Sequence, residues 1–523
     1  MTNVQDHDVA GQDVASPALL IVLPQGLNVS GVTLWGVRLA NELSTRGWRC
    51  GLVLHAEPVG QERLELPIAR EVHVFDHPEL PAAGGAMCDA EALHGVYARA
   101  VDAMSTGGPM IVSANLHGEV YGVAAALTRS HGVRLVGWQH SDIAYDTRVL
   151  SHYAEALHAV VAVSQTIEDR LLSAIPAHAD RIVRVPYGIE IPEVKTRSPI
   201  AKRPLRLVYT GRLEHSQKRV LALPAMSWLL DERGVEHELV LVGDGPARAD
   251  VERELERTPS TRMVGACEPI GVQKWLRWAD ALALGSRYEG LSISMLEALA
   301  AGCPVLLTRT ASGASEAIED GVSGLIAEVA PEADEQTAAA ALADTVVRYL
   351  KYDEAALSAS ARQVAAERYG VRSHVDRVER MLAEIVREPA RVWPSDRPVG
   401  FAAAGGSVPT DAAERLERAL ARLVRMGVAI ERVAIHGAGA HTTACAEVIK
   451  RYGVAMIVDD DRGLWGSRMA GASVVSPAEA IQKGVQAIVV SSHLHEKSIA
   501  GQWAERAAGV AVHCLYQSEN QAA

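Results

Sequence analysis

Short apolar runs alternate with longer helical patterns along most of this chain, and this alternation restricts the fold more than any other feature. The first runs are LLIVLP, CGLVLH, MIVSAN, RLVGWQH and AVVAVS. Runs this short, bounded by turn residues, are typical of strands buried on both faces of a parallel sheet. The alternation therefore predicts crossover units and an α/β fold with doubly wound sheets.

The pattern stops and restarts twice, which predicts three domains. After a Pro- and charge-containing stretch at 191–204, the second set of runs is LRLVYTG, ELVLVGDG, RMVG, ALALGS and PVLLT, followed by a purely helical stretch at 333–388. A third, smaller set follows a Pro-, Gly-, Ala- and Ser-rich segment. We expect a disordered tail at 1–17, Rossmann-like domains at 18–198 and 199–390, a flexible linker at 391–409 and an accessory Rossmann-like domain at 410–523.

Charge and cysteine usage argue against several classes of protein. The formal net charge of −13 over 523 residues disfavours a broad nucleic-acid-binding surface. The six cysteines lie far apart in sequence, which is typical of reduced thiols in the cytosol rather than of a disulfide framework. No apolar run is long enough to span a membrane. We therefore expect a cytoplasmic protein without a transmembrane segment, and peripheral contact with the inner membrane face stays open.

The most informative segment is YEGLSISMLEALAAGCPVLLT, residues 288–308. It reads as a loop, a buried helix that Gly302 ends, and the start of the next strand. The loop Gly290–Ile293 would then lie at a helix N-terminus, where unpaired backbone N–H groups favour a phosphate. Glu289 precedes that helix and Glu297 follows on its second turn. They could hold sugar hydroxyls and a ribose, or be incidental glutamates on an ordinary buried helix.

A second segment, YTGRLEHSQKRV, places Arg212 and Lys218 just after a strand. Two cations at the carboxyl end of a strand suit a diphosphate, because Arg binds it in bidentate fashion and Lys acts as a point charge. The alternative is a solvated charged loop.

Three weaker signals follow other predicted strands. Gly31 opens a helix in NVSGVTLWG, Gly243 and Gly245 form the turn of VGDGPAR, and His140 ends the strand in VGWQHSD. The glycines allow close approach to a ligand. A single histidine at such a position is more often structural than catalytic.

Together these segments resemble the retaining glycosyltransferases of the GT-B fold, family four, also called glycosyl transferases group 1. That family's E-x7-E signature matches Glu289 to Glu297, followed by a match to A-x-A-G-x-P-V. The G-D-G-P turn, the segment AIEDGVSGLI and the runs VAVSQTIEDRL and VPYGIEIP also match, so the resemblance covers residues 19–388. The chain departs from the family pattern at four pairs: Ser30-Gly31, Tyr187-Gly188, Lys218-Arg219 and Gly285-Ser286.

The resemblance implies a role for each matching residue. The diphosphate would be held by Arg212, Lys218 and the amides of Leu291, Ser292 and Ile293. Glu297 would bind the ribose and Glu289 the donor sugar, while His140 would be the catalytic-centre histidine. Gly31, Gly243, Gly245 and Gly290 would face the donor.

The resemblance also implies the reaction. The donor would be a UDP- or GDP-sugar, used with no cofactor and no metal, and the acceptor an unidentified compound such as a growing glycan or glycolipid held by the first domain. The last helix of the second domain would cross back to the first. Two rival functions are a GT-B nucleotide-sugar epimerase and a non-catalytic nucleotide-sugar sensor.

The third domain allows two interpretations. AIHGAGAHTTACAEVI predicts a strand, a Gly-rich turn and a helix, and Asp459 lies where a Rossmann acidic residue meets a ribose. The segment is similar to nucleotide-sugar-binding domains attached to some sugar acyltransferases and methyltransferases. It predicts either an accessory nucleotide site at Gly437, Gly439 and Asp459, or a structural domain without a ligand. His493 and His495 read as a polar strand end rather than as metal ligands.

Overall fold

The computed structural model describes residues 17–28, 30–58, 63–78, 80, 82, 90–193, 203–310, 312–397, 399, 411–460, 465–491, 496–507 and 509–516. In these ranges the chain folds as α/β with three sheets, which confirms the predicted fold class. The predicted tail apart from Pro17, most of the predicted linker, and both His493 and His495 lie outside the described residues. The predicted domain boundaries stay predictions.

The first sheet has seven parallel strands in the order β3-β2-β1-β4-β5-β6-β7. Its strands are β1 (Ala18–Leu23), β2 (Arg49–Leu54), β3 (His73–Asp76), β4 (Met110–Ala114), β5 (Arg134–Gln139), β6 (Leu157–Ala162) and β7 (Ile182–Arg184), and its helices are α1 (Gly31–Thr45), α2 (Ala90–Met104), α3 (Gly118–His131), α4 (Ala144–Tyr153) and α5 (Gln165–Ala174). Strand β1 is buried along its whole length and pairs with β2 and β4. The strand order reverses between β1 and β4, which is where such sheets bind ligands.

The second sheet repeats this arrangement with six parallel strands in the order β10-β9-β8-β11-β12-β13. Its strands are β8 (Leu205–Thr210), β9 (His237–Val242), β10 (Thr261–Gly265), β11 (Ala281–Leu284), β12 (Val305–Thr308) and β13 (Gly324–Ala327), and its helices are α6 (Ala222–Glu232), α7 (Arg248–Leu255), α8 (Pro269–Trp278), α9 (Ile293–Ala300), α10 (Ala314–Ala317), α11 (Glu335–Tyr349), α12 (Glu354–Arg368) and α13 (Val371–Arg387). Here the order reverses between β8 and β11, so the predicted phosphate loops follow the two central strands.

Helix α13 returns to the first domain and packs against α1. At its start the chain pairs with the end of the first domain. The Ile189 N–H donates to the Tyr369 carbonyl (2.8 Å), and the Val371 N–H donates to the Ile189 carbonyl (2.9 Å). The Trp35 indole N–H then donates to Nε2 of His374 at 3.2 Å. These contacts join the two domains.

The beginning of the predicted linker is packed against the first domain rather than free. Trp393 is 1% exposed and its ring lies 5.2 Å from that of Tyr153. The Trp393 N–H donates to the Thr128 hydroxyl (2.9 Å), and the Arg129 guanidinium donates to the carbonyls of Trp393 (3.0 Å) and Arg397 (2.8 Å). The expectation of a flexible linker beginning at 391 is therefore wrong for residues 391–397, because a buried tryptophan anchors this segment.

The third sheet has six strands in the order β16-β17-β15-β14-β18-β19, parallel except for the β16–β17 pair. Its strands are β14 (Val433–His436), β15 (Met456–Val458), β16 (Arg468–Met469), β17 (Ala472–Val475), β18 (Ala487–Val490) and β19 (Ala511–Cys514), and its helices are α14 (Ala412–Arg425), α15 (Ala440–Ala444), α16 (Ala446–Tyr452), α17 (Pro477–Gln482) and α18 (Glu496–Arg506). Alternate residues of β14 and β18 point into two separate apolar clusters, one on each face. This domain therefore has a core of its own.

Candidate active site

A cleft of about 380 Å³ lies between the first two domains, at the carboxyl ends of their strands. The first domain lines it with Gln25, Ser30, Gly31, Val32, Leu34, Leu64, Leu116, His117, His140, Ser141, Ile143, Tyr145, Asp146 and Tyr187. The second domain lines it with Thr210, Gly211, Arg212, Gln217, Lys218, Cys267, Pro269, Val272, residues 288–294 and Glu297. Most of the predicted site residues therefore meet in one cleft.

Helix α9 begins at this cleft. Ser292 is its N-cap, and the Ser292 side chain accepts from the Met295 N–H at 3.4 Å. A serine cap fixes the first turn, because it satisfies one of the backbone N–H groups that have no partner within the helix. Leu291, Ser292 and Ile293 line the cleft beside this turn. An anion in the cleft would therefore meet a helix N-terminus.

The two predicted ligands Lys218 and Glu289 contact each other in this structure. The Lys218 ammonium lies 2.6 Å from Oε1 of Glu289, and the Ser286 hydroxyl donates to the same oxygen at 2.6 Å. Gln217 Nε2 also donates to Oε2 of Glu289, at 3.4 Å. The sequence analysis placed Lys218 on the diphosphate and Glu289 on the sugar, and it missed the ion pair because the two residues are distant in sequence. Ser286, noted only as a departure from the family pattern, is part of this network.

Glu297 faces Arg38, a residue of the first domain that the sequence analysis missed. Their side chains approach to 3.6 Å, and the Arg38 guanidinium also donates to the Gly188 carbonyl at 2.7 Å. Burial raises the pKa of Glu297, and the nearby Arg38 charge partly opposes that rise. The Glu297 carboxylate thus lies at the contact between the two domains.

The ring of His140 is fully engaged inside the first domain. The Asn115 side-chain amide donates to the carbonyls of Val22 (2.9 Å) and Ser113 (3.1 Å), so its Oδ1 accepts from Nε2 of His140 at 3.0 Å. His140 Nδ1 then accepts from the Tyr187 hydroxyl at 2.6 Å. This assignment makes His140 a neutral Nε2–H tautomer, and burial lowers its pKa to about 3.

The backbone of His140, rather than its ring nitrogens, contacts the second domain. A Cβ built on Gly290 would lie 2.0 Å from the His140 carbonyl oxygen. The two domains can approach this closely only because residue 290 is glycine. On the same face, a Cβ on Gly31 would lie 3.1 Å from the Ile293 side chain. Gly31, Gly290 and His140 therefore lie on facing walls of the cleft.

Gly243 and Gly245 do not line the described cleft, so their prediction as donor-contacting residues is not supported by this structure. A Cβ on Gly243, whose φ is +144°, would lie 1.9 Å from the Gly211 carbonyl oxygen. A Cβ on Gly245 would lie 2.4 Å from the Leu213 carbonyl oxygen. Their missing side chains admit the loop that carries Arg212, which does line the cleft. These glycines shape the site indirectly.

In the third domain, Asp459 turns back onto the Gly-rich turn. Its Oδ2 accepts from the Ala438 N–H at 2.7 Å, between Gly437 and Gly439. Gly437 has a φ of +111°, and Gly439 precedes helix α15, which is five residues long. The carboxylate expected at a ribose therefore caps the turn itself. This contact gives Asp459 a structural role and leaves the accessory site untested.

Two further observations concern the described residues only. No three His, Cys, Asp or Glu side chains among them come together as a possible metal-ligand set. No helix among them has the length and apolar character needed to cross a membrane.

Two protein-family models match adjacent parts of the chain. Residues 29–192 match the model described as Glycosyltransferase Family 4, and residues 204–351 match the model described as Glycosyl transferases group 1. The first match covers β2 to β7 of the first sheet, and the second covers all strands of the β8–β13 sheet.

Curated relatives match over limited segments. A GDP-mannose-dependent alpha-(1-6)-phosphatidylinositol dimannoside mannosyltransferase from Mycobacterium tuberculosis is 29% identical over 166 residues, which is 30% of this chain and 42% of that protein. A glycogen synthase from Mycobacterium tuberculosis is 28% identical over 223 residues, covering 39% of this chain and 52% of that protein. The matched segments thus span about half of these relatives or less.

Solved structures show the same arrangement of the first two domains. Anabaena Alr3699/HepE, solved in complex with UDP and glucose, has a TM-score of 0.54 at 18% identity and covers 70% of this chain and 99% of its own. Sucrose-phosphate synthase from Thermosynechococcus elongatus has a TM-score of 0.56 at 17% identity and covers 71% of this chain and 99% of its own. At such identities the likeness concerns the fold. With the two family models, it identifies the first two domains of this chain as glycosyltransferase domains in the GT-B arrangement.

Proposed function

We propose that this protein transfers a sugar from a UDP- or GDP-sugar to a hydroxyl group of an acceptor, without a metal ion and with retention of the anomeric configuration. One observation carries the proposal: Arg212, Lys218 and the N-terminus of α9 line the same wall of the cleft. Two cations and a helix N-terminus are suited to a diphosphate leaving group. The relatives and the HepE complex support a nucleotide-sugar donor, because their names include GDP-mannose and UDP.

Charge stabilisation is the main task of such a site. As the bond between the sugar and the diphosphate breaks, negative charge builds on the diphosphate. Fixed cations and backbone N–H groups stabilise that charge without rearranging. This wall can supply the stabilisation that a metal ion supplies elsewhere, which is the basis for proposing a metal-free reaction.

The ion pair between Lys218 and Glu289 suggests how the donor is received. In this structure the Lys218 ammonium is held by Glu289 at 2.6 Å. A diphosphate would compete for this ammonium, and Glu289 would then accept hydrogen bonds from the hydroxyls of the donor sugar. Ser286 and Gln217 would keep the Glu289 carboxylate in place during this exchange. Donor binding would therefore exchange one charged contact for another.

Glu297 is proposed to bind the ribose. It is 9% exposed, lines the cleft and follows the helix N-terminus by one turn. Glu289 is not proposed as a nucleophile. In the mechanism that the family resemblance implies, the acceptor attacks the face of the sugar that the diphosphate leaves, so no covalent sugar–enzyme intermediate is needed.

The test is nucleotide release from a panel of UDP- and GDP-sugars, with and without candidate acceptors, in the presence of excess EDTA. We expect turnover to persist in EDTA, and Lys218→Ala to lower kcat/KM for the donor about tenfold to a hundredfold, since a hydrogen bond to a charged group contributes about 1.5–3 kcal/mol. Lys274→Ala is the matched control, because Lys274 is exposed on α8.

Each rival function predicts a different result. A nucleotide-sugar sensor would bind the donor without turnover, and an epimerase would convert the donor sugar without an acceptor. Unchanged donor kinetics in a folded Lys218→Ala variant would refute the assignment of the diphosphate site. Recovery of an EDTA-inactivated enzyme by Mg²⁺ or Mn²⁺ would refute the metal-free mechanism.

A further inference from the structure

The first-domain side of the cleft carries a distinctive set of side chains. We call it the acceptor wall, and it consists of Gln25, Leu116, His117, Ile143, Tyr145 and Asp146. Among the described first-domain residues that line the cleft there is no Lys or Arg. The cations of the described cleft lining, Arg212 and Lys218, belong to the opposite wall. The cleft is thus electrostatically divided, with positive charge on the donor side only.

The acceptor wall carries one carboxyl group, that of Asp146, and no Lys or Arg beside it among the described lining residues. Asp146 lies on the first turn of α4, is 7% exposed, and accepts from the Ser141 backbone N–H. Burial raises the pKa of Asp146 to about 7. His117 adds no positive charge at neutral pH, because burial and the neighbouring His55 lower its pKa to about 4. Near neutral pH this wall is therefore neutral or negative.

Hydrogen-bond donors and acceptors on this wall are fixed by their neighbours. Gln25 Oε1 accepts from the Asn28 amide (3.3 Å), so its amide nitrogen donates to Nε2 of His117 (3.2 Å). The Tyr145 hydroxyl accepts from the Gly118 N–H at 3.1 Å. These polar groups lie beside the apolar side chains of Leu116 and Ile143. A wall of this kind can accept the hydroxyls and the C–H faces of a sugar ring.

Leu116 gives a second indication that this wall serves a ligand. It has a φ of +65°, which is unusual for a residue with a branched side chain. Residues held in such conformations cluster at ligand-binding sites, where the surrounding structure stabilises them. Here the conformation places Leu116 at the cleft surface, next to His117.

An anionic acceptor group would be disfavoured at this wall. A phosphate or carboxylate would lose water in a cleft whose described first-domain lining contains the Asp146 carboxyl group and no Lys or Arg to compensate. An uncharged ring meets no such penalty.

We infer that the acceptor group entering the cleft is an uncharged polyol ring, a sugar or cyclitol without phosphate or carboxylate, and that Asp146 selects it by bonding its hydroxyls. This inference rests on the proposed function. It concerns only the ring that enters the cleft, since an anionic group remote from that ring would not contact the wall.

The first experiment compares matched acceptors on the full-length protein, with the donor that is hydrolysed fastest. The pairs are myo-inositol with myo-inositol 1-phosphate, and methyl α-mannoside with mannose 6-phosphate. Acceptor-dependent nucleotide release and the product mass are measured. We expect kcat/KM to be at least about tenfold higher for the uncharged member of each pair.

Asp146→Asn tests the role of the carboxylate. We expect KM for the uncharged acceptor to rise about tenfold in Asp146→Asn and to stay unchanged in the control variant. Asp180→Asn is the matched control, because Asp180 is exposed on the first domain. A thermal unfolding curve shows whether the variant is folded. If Asp146→Asn fails to fold, the comparison of matched acceptors on the natural protein still decides the acceptor class.

The outcomes separate this inference from the proposed function. Absence of any donor turnover would refute the proposed function. Donor turnover that is stimulated more by the phosphorylated members, or by no uncharged member of the panel, would overturn the inference alone. An Asp146→Asn variant with an unchanged acceptor KM would overturn the role of Asp146.

Discussion

Arg219 belongs to one of the four pairs at which the chain departs from the family pattern, and the structure shows backbone strain at this residue. Its φ is +47°, in the left-handed region, and its side chain is fully buried. The guanidinium donates to the carbonyls of Ser286 (3.2 Å) and Ala333 (3.2 Å). Arg219 thus holds the backbone of Ser286, whose hydroxyl binds Glu289. We predict that the backbone strain can be measured by replacing Arg219 with Ala and with Gly.

Both replacements lose the same two hydrogen bonds from a charged group, each contributing about 1.5–3 kcal/mol. They differ in the backbone, because Ala keeps the cost of about 1 kcal/mol that Arg219 bears in the left-handed region and Gly relieves it. We therefore expect Arg219→Ala to lower the free energy of unfolding by about 3–6 kcal/mol and Arg219→Gly by about 2–5 kcal/mol. The glycine variant should be the more stable of the two by about 1 kcal/mol.

Chemical denaturation of both variants measures this difference directly. Arg362 is the control, since it lies in the middle of α12 and also donates to a carbonyl, that of Ala300 (2.8 Å). At this right-handed helical position Gly should be less stable than Ala by about 1 kcal/mol. The reasoning is supported if the Gly variant is more stable than the Ala variant at position 219 and less stable than it at position 362. If Arg219→Ala is as stable as Arg219→Gly, residue 219 is not strained and the reasoning is wrong.

Three further predictions concern the domain contact, the packed linker and pH. Gly290→Ala should lower kcat/KM about a hundredfold with little change in melting temperature, because the added methyl group would push the Gly290 loop away from the His140 carbonyl on the opposite wall. Unchanged steady-state kinetics would contradict this prediction. A truncated protein ending at residue 390 should have a free energy of unfolding about 3–5 kcal/mol lower than one ending at 399, since only the longer protein keeps Trp393 in its pocket. Equal unfolding curves for the two proteins would show that Trp393 contributes nothing to stability. Because burial lowers the pKa of His140 to about 3, the buried neutral imidazole makes its full contribution to the free energy of unfolding above pH 6.5. This contribution decreases as the pH falls toward 3, by about 3 kcal/mol at pH 4. His140→Gln should therefore make the free energy of unfolding depend less on pH in this range.

In the first two sheets the sequence predicted the interior strands, because each is a continuous apolar run, whereas β3, β7 and β13 were not predicted. β3 and β7 are short strands at the edges of the first sheet and are partly exposed, so their sequences HVFD and IVR lack a buried run. β13 is buried, but its sequence GLIA is only four residues long and follows a turn. Strand prediction from apolar runs therefore works best in the middle of a sheet.

The candidate site was predicted in its composition but not in its pairings. A motif places Lys218, Glu289 and Glu297 in one cleft, because the carboxyl ends of parallel strands meet at one edge of the sheet. It does not say that Lys218 binds Glu289 or that Arg38 reaches Glu297. These contacts depend on how the loops and the two domains approach each other in space.

Residues 391–397 show the opposite limit of sequence reasoning. Their composition is that of a linker, rich in Pro and polar residues, and composition alone indicates flexibility. Trp393 changes the outcome, since a buried indole with a hydrogen-bonded backbone outweighs the entropy of a short segment. A single large apolar residue in a polar segment is the sequence signal that could have indicated this packing.

The contact between Gly290 and His140 links the geometry of the site to the proposed chemistry. His140 is held neutral by Asn115 and Tyr187, so its ring is a fixed part of the first-domain wall rather than a group that gains or loses a proton at neutral pH. Its carbonyl meets the second domain where the Gly290 loop leads into α9. The distance between the diphosphate site and the acceptor wall is therefore set by backbone against backbone. Such a contact leaves less freedom than one between long side chains, and a reaction that depends on positioning and fixed charges requires that restriction.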